Sequence, residues 1–245
     1  MGFEMNENVS NLYVKLVEQF QQTHGDDHGV FITHKGLKLP KKHIMFVGRE
    51  TNGIGSSLKE RTNLPSKYLA ADTASDLEWL VDRSSYYYSR SPFWQVVGKT
   101  AAAIHRADYA DSIFNFISWS NLYHIAKCKK GARINGWMKK AQRKTCSDLF
   151  IEEVKQLLPS AIVFLTDENW LDPFFDENSD WEKLGYIQNY SKITEPFFVG
   201  SFEFNLGKGI VIPAIVVPHP QNKRAARGNE LVSKIVDYIQ SKFAE

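Results

Sequence analysis

The stretch Lys41-Lys42-His43-Ile44-Met45-Phe46-Val47-Gly48-Arg49-Glu50-Thr51-Asn52-Gly53 decides the fold. Two lysines and a histidine lead into four consecutive apolar residues, and the run stops on a glycine. A short apolar run with no polar alternation is the pattern of a strand buried on both faces of a parallel sheet. Gly48 and Gly53 let the backbone beyond the strand turn tightly and approach a ligand closely. Glu50 sets an acid between them. The segment lacks the Lys-Ser/Thr of a P-loop and the full glycine fingerprint of a dinucleotide site.

Working outward, residues 113–117 form a second strand candidate running into Trp119-Ser120-Asn121-Leu122, and residues 161–166 a third. The last strands lie within 197–204 and 209–217, the latter ending at Pro218-His219-Pro220. Leu12, Leu16 and Phe20 recur at helical spacing, which predicts an amphipathic helix over 10–21, followed by a loop rich in Gly, Asp and His. A second helix fits 71–81. Ser91-Pro92 supplies a capping hydroxyl and a first-position proline for a helix over 93–106. The next helix starts near Met138 or Ser147 and stops at Pro159. Residues 167–181, acidic and aromatic, read as a surface loop. Leu231, Ile235 and Ile239 mark a final helix over 229–243.

Alternating strands and helices predict an α/β fold: a three-layer α/β/α sandwich on a mainly parallel central sheet, in one domain over 1–245. Ligands of such sheets bind beyond the carboxyl ends of the strands. Three of those ends carry polar residues, at Gly48 to Gly53, at Ser120-Asn121 and at His219-Pro220-Gln221.

Composition narrows the partners. The chain has 245 residues, 43% hydrophobic and 24% charged, enough apolar content for a full core. Net charge is only +2, but it is segregated. Between Lys127 and Cys146 there are eight Lys or Arg and no acid; between Asp167 and Glu182 there are seven acids and no base. Two cysteines are too few for a disulfide framework or a four-cysteine cluster, so a reduced, cytoplasmic setting is expected, with no metal and no cofactor. The N-terminus is polar and acidic, without the apolar run of a signal peptide. No stretch approaches the roughly 18 apolar residues of a membrane span, so no membrane partner is expected. A monomer is expected.

Taken singly, the polar residues have structural roles open to them: Asn121 as a turn or helix cap, His219 as a hydrogen-bonded turn residue, Phe93 as a helix core position. In their order along the chain they resemble the uracil-DNA glycosylase superfamily. Gly48-Arg49-Glu50-Thr51-Asn52-Gly53 is similar to its first motif, Asn121 to its base-reading asparagine, and His219-Pro220-Gln221 to its last motif. The resemblance covers roughly residues 43–240. It implies a protein that hydrolyses the N-glycosidic bond of a damaged or deaminated base in DNA. Breaking that bond leaves a cationic sugar and an anionic base. Glu50 would orient water beside the cation, His219 would hold charge on the base, and Asn121 would read the flipped base. Gly48, Arg49, Thr51 and Asn52 would line the pocket, and Phe93 or Trp94 would stack on the base.

The chain departs from the superfamily where Glu50 replaces Asp or Asn, Thr51 replaces proline, and Asn52 stands where some members carry a bulky tyrosine. Arg49 would favour a phosphate or an anionic base. DNA is the expected partner. Lys223, Arg224 and Arg227, beside the last motif, would contact its phosphates, and the basic stretch 127–144 with Trp137 suits a backbone and an unstacked base. Two alternatives stay open: the fold retained for binding a nucleotide, nucleic acid or protein without cleavage, and a hydrolase of free nucleosides or nucleotides.

Overall fold

A computed structural model describes residues 5–24, 28–36, 39–50, 90–107, 113–128, 133–175, 180–192, 200–220 and 225–244. In chain order its elements are α1 (Glu7–His24), β1 (His28–Val30), β2 (His34–Lys35), β3 (Ile44–Gly48), α2 (Pro92–His105), β4 (Ile117–Asn121), β5 (Ile125–Lys127) and α3 (Gly136–Leu157). Then come β6 (Ala161–Leu165), α4 (Glu168–Phe175), α5 (Asp180–Lys183), β7 (Ile187–Lys192), β8 (Gly200–Gly207), β9 (Ile210–Val217) and α6 (Ala225–Ala244). The described residues fall into two compact units interleaved along the chain. The first draws on Met1–His34, Gly48–Ser75 and Ser120–Leu158, the second on Lys35–Val47, Asp76–Trp119 and Pro159–Glu245.

In the first unit α1 packs on α3. The apolar stripe of α1 buries Val9, Tyr13, Leu16, Val17 and Phe20. The helix extends three residues past each expected end, and Asn6 Oδ1 caps it by accepting from Val9 N at 2.9 Å. Helix α3 is one continuous helix of 22 residues, starting earlier than either expected position. Its cap is Asn135, whose side chain accepts from Met138 N at 2.9 Å. It ends where Leu158 turns left-handed at φ 47° just before Pro159. The segment expected as a loop after α1 instead contributes β1, which pairs antiparallel with β5.

The second unit is built on a seven-stranded sheet in the order β2-β4-β3-β6-β9-β8-β7. The first residue of β2, the last of β3 and the last two of β4 belong to the first unit. Strands β3 and β6 are buried at every position, as continuous apolar runs require, and β4 is buried throughout although it alternates apolar with polar residues. The sheet is mixed rather than mainly parallel. Strands β3, β6 and β9 run parallel, but β9-β8-β7 is an antiparallel series. The reason is local: Gly207, Lys208 and Gly209, all at positive φ, reverse the chain between β8 and β9, and so tight a turn joins only antiparallel strands. Edge strand β7 is mostly exposed, and its register shifts between Gln188 and Ser191, where Asn189 is left-handed at φ 54°. Such a bulge blunts an open edge against pairing with another chain.

Two further expectations are corrected. Residues 167–181 do not form a plain loop. They supply α4 and α5, which bury Leu171, Phe174 and Trp181 and leave most of their described acids toward water. The Trp181 ring lies 5.5 Å from Phe204 and 6.4 Å from Phe164, covering the sheet face that carries them. Helix α2 does start on Pro92, but the Ser91 side chain makes no capping hydrogen bond; the Ser91 carbonyl accepts from Gln95 N at 3.0 Å. Helix α6 packs on α2 and β9, burying Leu231, Ile235 and Ile239. The expected helix over 71–81 and residues 197–199 of the expected strand segment 197–204 lie outside the described residues. Among the described residues no helix is long and apolar enough to cross a membrane.

Candidate functional site

In the first unit the backbone leaving β3 runs beside the backbone leaving β4. Leu122 N donates to Gly48 O at 2.9 Å and Tyr123 N to Arg49 O at 3.1 Å. Three of the expected residues, Gly48, Arg49 and Asn121, are therefore neighbours at two strand ends. Asn121 is 1% exposed, and its Nδ2 is buried with no hydrogen-bond partner. A buried amide nitrogen left unpaired costs about 1–3 kcal/mol. Its amide hydrogens thus meet no acceptor among the described residues.

Beneath Asn121 lies a polar cluster that reading the sequence missed. Glu153 of α3, 2% exposed, accepts on Oε1 from the Tyr13 and Thr33 hydroxyls, each at 2.7 Å, and on Oε2 from Ser120 at 2.7 Å. Thr33 N in turn donates to the Tyr13 oxygen at 2.9 Å. Burial and the Glu153 charge push the Tyr13 phenol well above its ordinary value, so it stays a donor. His124 Nδ1 lies 3.0 Å from the Phe31 carbonyl, which only accepts, so Nδ1 carries the proton. Burial holds this imidazole below its ordinary pKa, against the pull of Glu153. Gln142 completes the surround: its Oε1 accepts from Ile125 N at 2.8 Å and its Nε2 donates to Ile125 O at 2.9 Å. Ser120 is thereby tied to α3 while Asn121, the next residue of the strand, projects the other way.

Glu50 is not a free carboxylate. Its Oε2 accepts from Ile134 N at 2.9 Å. Burial raises its pKa, while the Ile134 N–H and the charges of Lys139, Arg133 and Arg49 oppose the rise. Arg49 is lowered by burial and then by Arg133. Lys139 is lowered by burial and then by Arg49, and its Nζ stands 6.0 Å from the centre of the Tyr123 ring. Burial pushes the Tyr123 phenol up to about 12. Arg133 and Lys139 lay unseparated within the basic stretch of the sequence.

The second unit holds the other expected residues. The His219 ring is stacked on Phe93, with centroids 5.9 Å apart and planes at 29°. Phe93 is half-buried and Trp94 is in the core, edge-on to Trp119 at 4.6 Å. Between the two aromatic candidates, Phe93 is thus the one beside the histidine. Asp167, which reading the sequence assigned to a surface loop, fixes the His219 turn. Its N donates to Val217 O at 3.2 Å, and its Oδ1 accepts from His219 N at 3.0 Å. Its position just past β6 was the available signal, by the same strand-end rule that selected the others.

Thr51, Asn52, Lys223 and Arg224 lie outside the described residues, and Arg227 is described only in its backbone, within α6. Cys128 and Cys146 are not bonded to each other. Among the described residues, no three His, Cys, Asp or Glu side chains gather as a metal site. No protein-family model and no curated protein matches the chain.

Proposed function

We propose that this chain is a DNA base glycosylase-like protein, with Asn121 reading the base. The observation that carries this is the Asn121 amide: buried at 1% exposure, at a strand end, with Nδ2 unpaired. Base recognition by an extruded nucleotide needs such an amide, because one donor and one acceptor match the edge of a base. The Phe93–His219 stack supports a role for His219. An imidazole held by a ring and by its own anchored backbone is suited to hold charge developing on a leaving base.

A second reading is favoured by one observation. Glu50 already accepts from Ile134 N and faces three cations, which suits anchoring a loop as well as orienting water. That arrangement favours a protein that binds nucleic acid or a nucleotide without cleaving it.

Incubation of the purified chain with oligonucleotides carrying uracil, hypoxanthine, xanthine or oxidised bases separates the two. A glycosylase leaves alkali-labile abasic sites, at rates reduced by at least 100-fold in Asn121→Ala and Glu50→Ala, in line with the loss of a transition-state contact. No cleavage above the Glu50→Ala background ends the catalytic reading. Retained gel shifts in the same samples would then support binding alone.

A further inference from the structure

We propose that the water-facing side of α3 docks single-stranded nucleic acid, with Trp137 as a stacking platform and Lys140, Arg143 and Lys144 as contacts to its phosphates. The proposal rests on the nucleic-acid reading of this chain and adds to it the form of the partner and the surface that takes it; it is tested by binding, without turnover.

Helix α3 sorts its residues by side. Met138, Gln142, Thr145 and Leu149 are buried, and they recur at three- and four-residue steps along one side. Trp137, Lys140 and Lys144 recur at the same steps on the other side and are exposed, as is Arg143 next to them. Helix α1 runs antiparallel along α3: Asn8 Nδ2 donates to Glu152 Oε2 at 3.2 Å near one end, and Gln19 Nε2 donates to Ala141 O at 2.7 Å near the other. Helix α1 thus covers a flank of α3 and leaves these four side chains in water.

Trp137 sits where packing does not account for it. It is 48% exposed, whereas Trp94, Trp119 and Trp181 are at most 5% exposed. Phe20 steadies its ring edge-on, with centroids 5.7 Å apart and planes at 72°. A steadied indole with about half its surface in water offers a base a face to stack on.

The surroundings are cationic. The whole chain has 30 bases and 28 acids, yet eight Lys or Arg and no acid lie between Lys127 and Cys146. Among the described residues Lys140 and Arg143 form no ion pair. Lys144 pairs with Asp148 at 2.9 Å, but its side chain is 65% exposed, so a phosphate oxygen can replace that carboxylate at little cost. Cations alone fit any polyanion. An aromatic ring among them selects a polyanion that carries flat bases, and a single strand presents its bases where a duplex keeps them stacked. From Trp137 to Lys144 the helix rises about 10 Å, the reach of about two or three nucleotides.

The test titrates the full chain with a fluorescein-labelled oligothymidylate and with a duplex of the same length, by anisotropy at several salt concentrations, and follows tryptophan emission with unlabelled strands. Variants are Trp137→Ala, Trp137→Phe, and Lys140→Gln with Arg143→Gln. Lys183→Gln with Lys208→Gln is the control, removing the same charge from exposed positions of the second unit. We expect the single strand to bind at least tenfold more tightly than the duplex. Trp137→Ala should lose about tenfold or more, Trp137→Phe should recover much of it, and the quenching of tryptophan emission by the strand should fall in both. The paired α3 variant should shallow the slope of log K against log salt by about 1.4, at about 0.7 for each contact removed, and the control should leave it unchanged.

Equal affinity for the duplex, or wild-type binding by Trp137→Ala, overturns the proposal. So does a control that weakens binding as much as the paired α3 variant, or a chain that binds neither probe. Thermal unfolding of each variant separates lost binding from lost folding. Binding that depends on this side of α3 without base excision leaves the surface standing and ends the catalytic reading; base excision untouched by the α3 variants, with no binding that depends on them, does the reverse.

Discussion

At the scale of single residues, the Tyr13 hydroxyl does two jobs: it donates to the buried Glu153 and accepts from Thr33 N. Tyr13→Phe removes both bonds and leaves a buried carboxylate and a buried amide short of partners. The expected loss is about 2–3 kcal/mol in urea unfolding; a loss under about 0.5 kcal/mol would show that the hydroxyl is not needed there. Glu50 offers a test of electrostatics without any assay of activity. Lys139 is among the charges that hold its carboxyl down against burial. Lys139→Met should move the Glu50 titration upward, read from its carboxyl carbon-13 shift, and an unmoved titration would break the link between the two. Glu153 was partly legible in the sequence. Residues 146, 149, 150, 153, 154 and 157 form one helical stripe, and every one of them is buried. An acid in an apolar stripe marks a buried charge, but its partners Tyr13, Thr33 and Ser120 lie 33 to 140 residues away and no local pattern names them.

Among elements, the helix ends are where reading and structure differ most. The start of α3 was placed late because its apolar stripe begins at Met138, whereas the chain enters the helix at Gly136 through the Asn135 cap. Asn135→Ala should therefore cost about 1 kcal/mol. At the other end Leu158 is 50% exposed and left-handed, so a leucine there is strained and contributes little burial. Leu158→Gly should stabilise by about 0.5–1 kcal/mol, because glycine removes the clash of a Cβ at positive φ. Chemical unfolding of the two variants checks both signs, and destabilisation by Leu158→Gly would contradict the strain. Helices α4 and α5 were hidden by their acids, because burial there rests on a few aromatic side chains instead of a full stripe.

For the molecule as a whole, acid sensitivity has an identifiable source. His43, 4% exposed, is lowered by burial from 6.5 to about 4, and its Nε2 is buried with no hydrogen-bond partner. A depressed folded-state pKa means the stabilising contribution is present above about 6.5 and is lost as pH falls through about 4. Between pH 7 and pH 5 the loss is about 2 kcal/mol. Urea midpoints at the two values should show it, and His43→Gln should shrink the difference by about that amount, with the buried, depressed His124 contributing in the same direction; a difference unchanged in His43→Gln would rule His43 out as a source.

What the amino-acid sequence determined by itself was the central buried strands β3, β4, β6 and β9, the helical stripes of α1 and α6, and the polar residues at the strand ends. Those features are written in short periodic patterns of apolar and polar residues, which neighbouring positions carry. Only the tertiary structure decided that β7, β8 and β9 run antiparallel, and that Glu50 spends an oxygen on Ile134. The same is true of His219 lying on Phe93. Each of these depends on which distant segments become neighbours. That choice is made by the packing of whole elements, after local periodicity has already been satisfied.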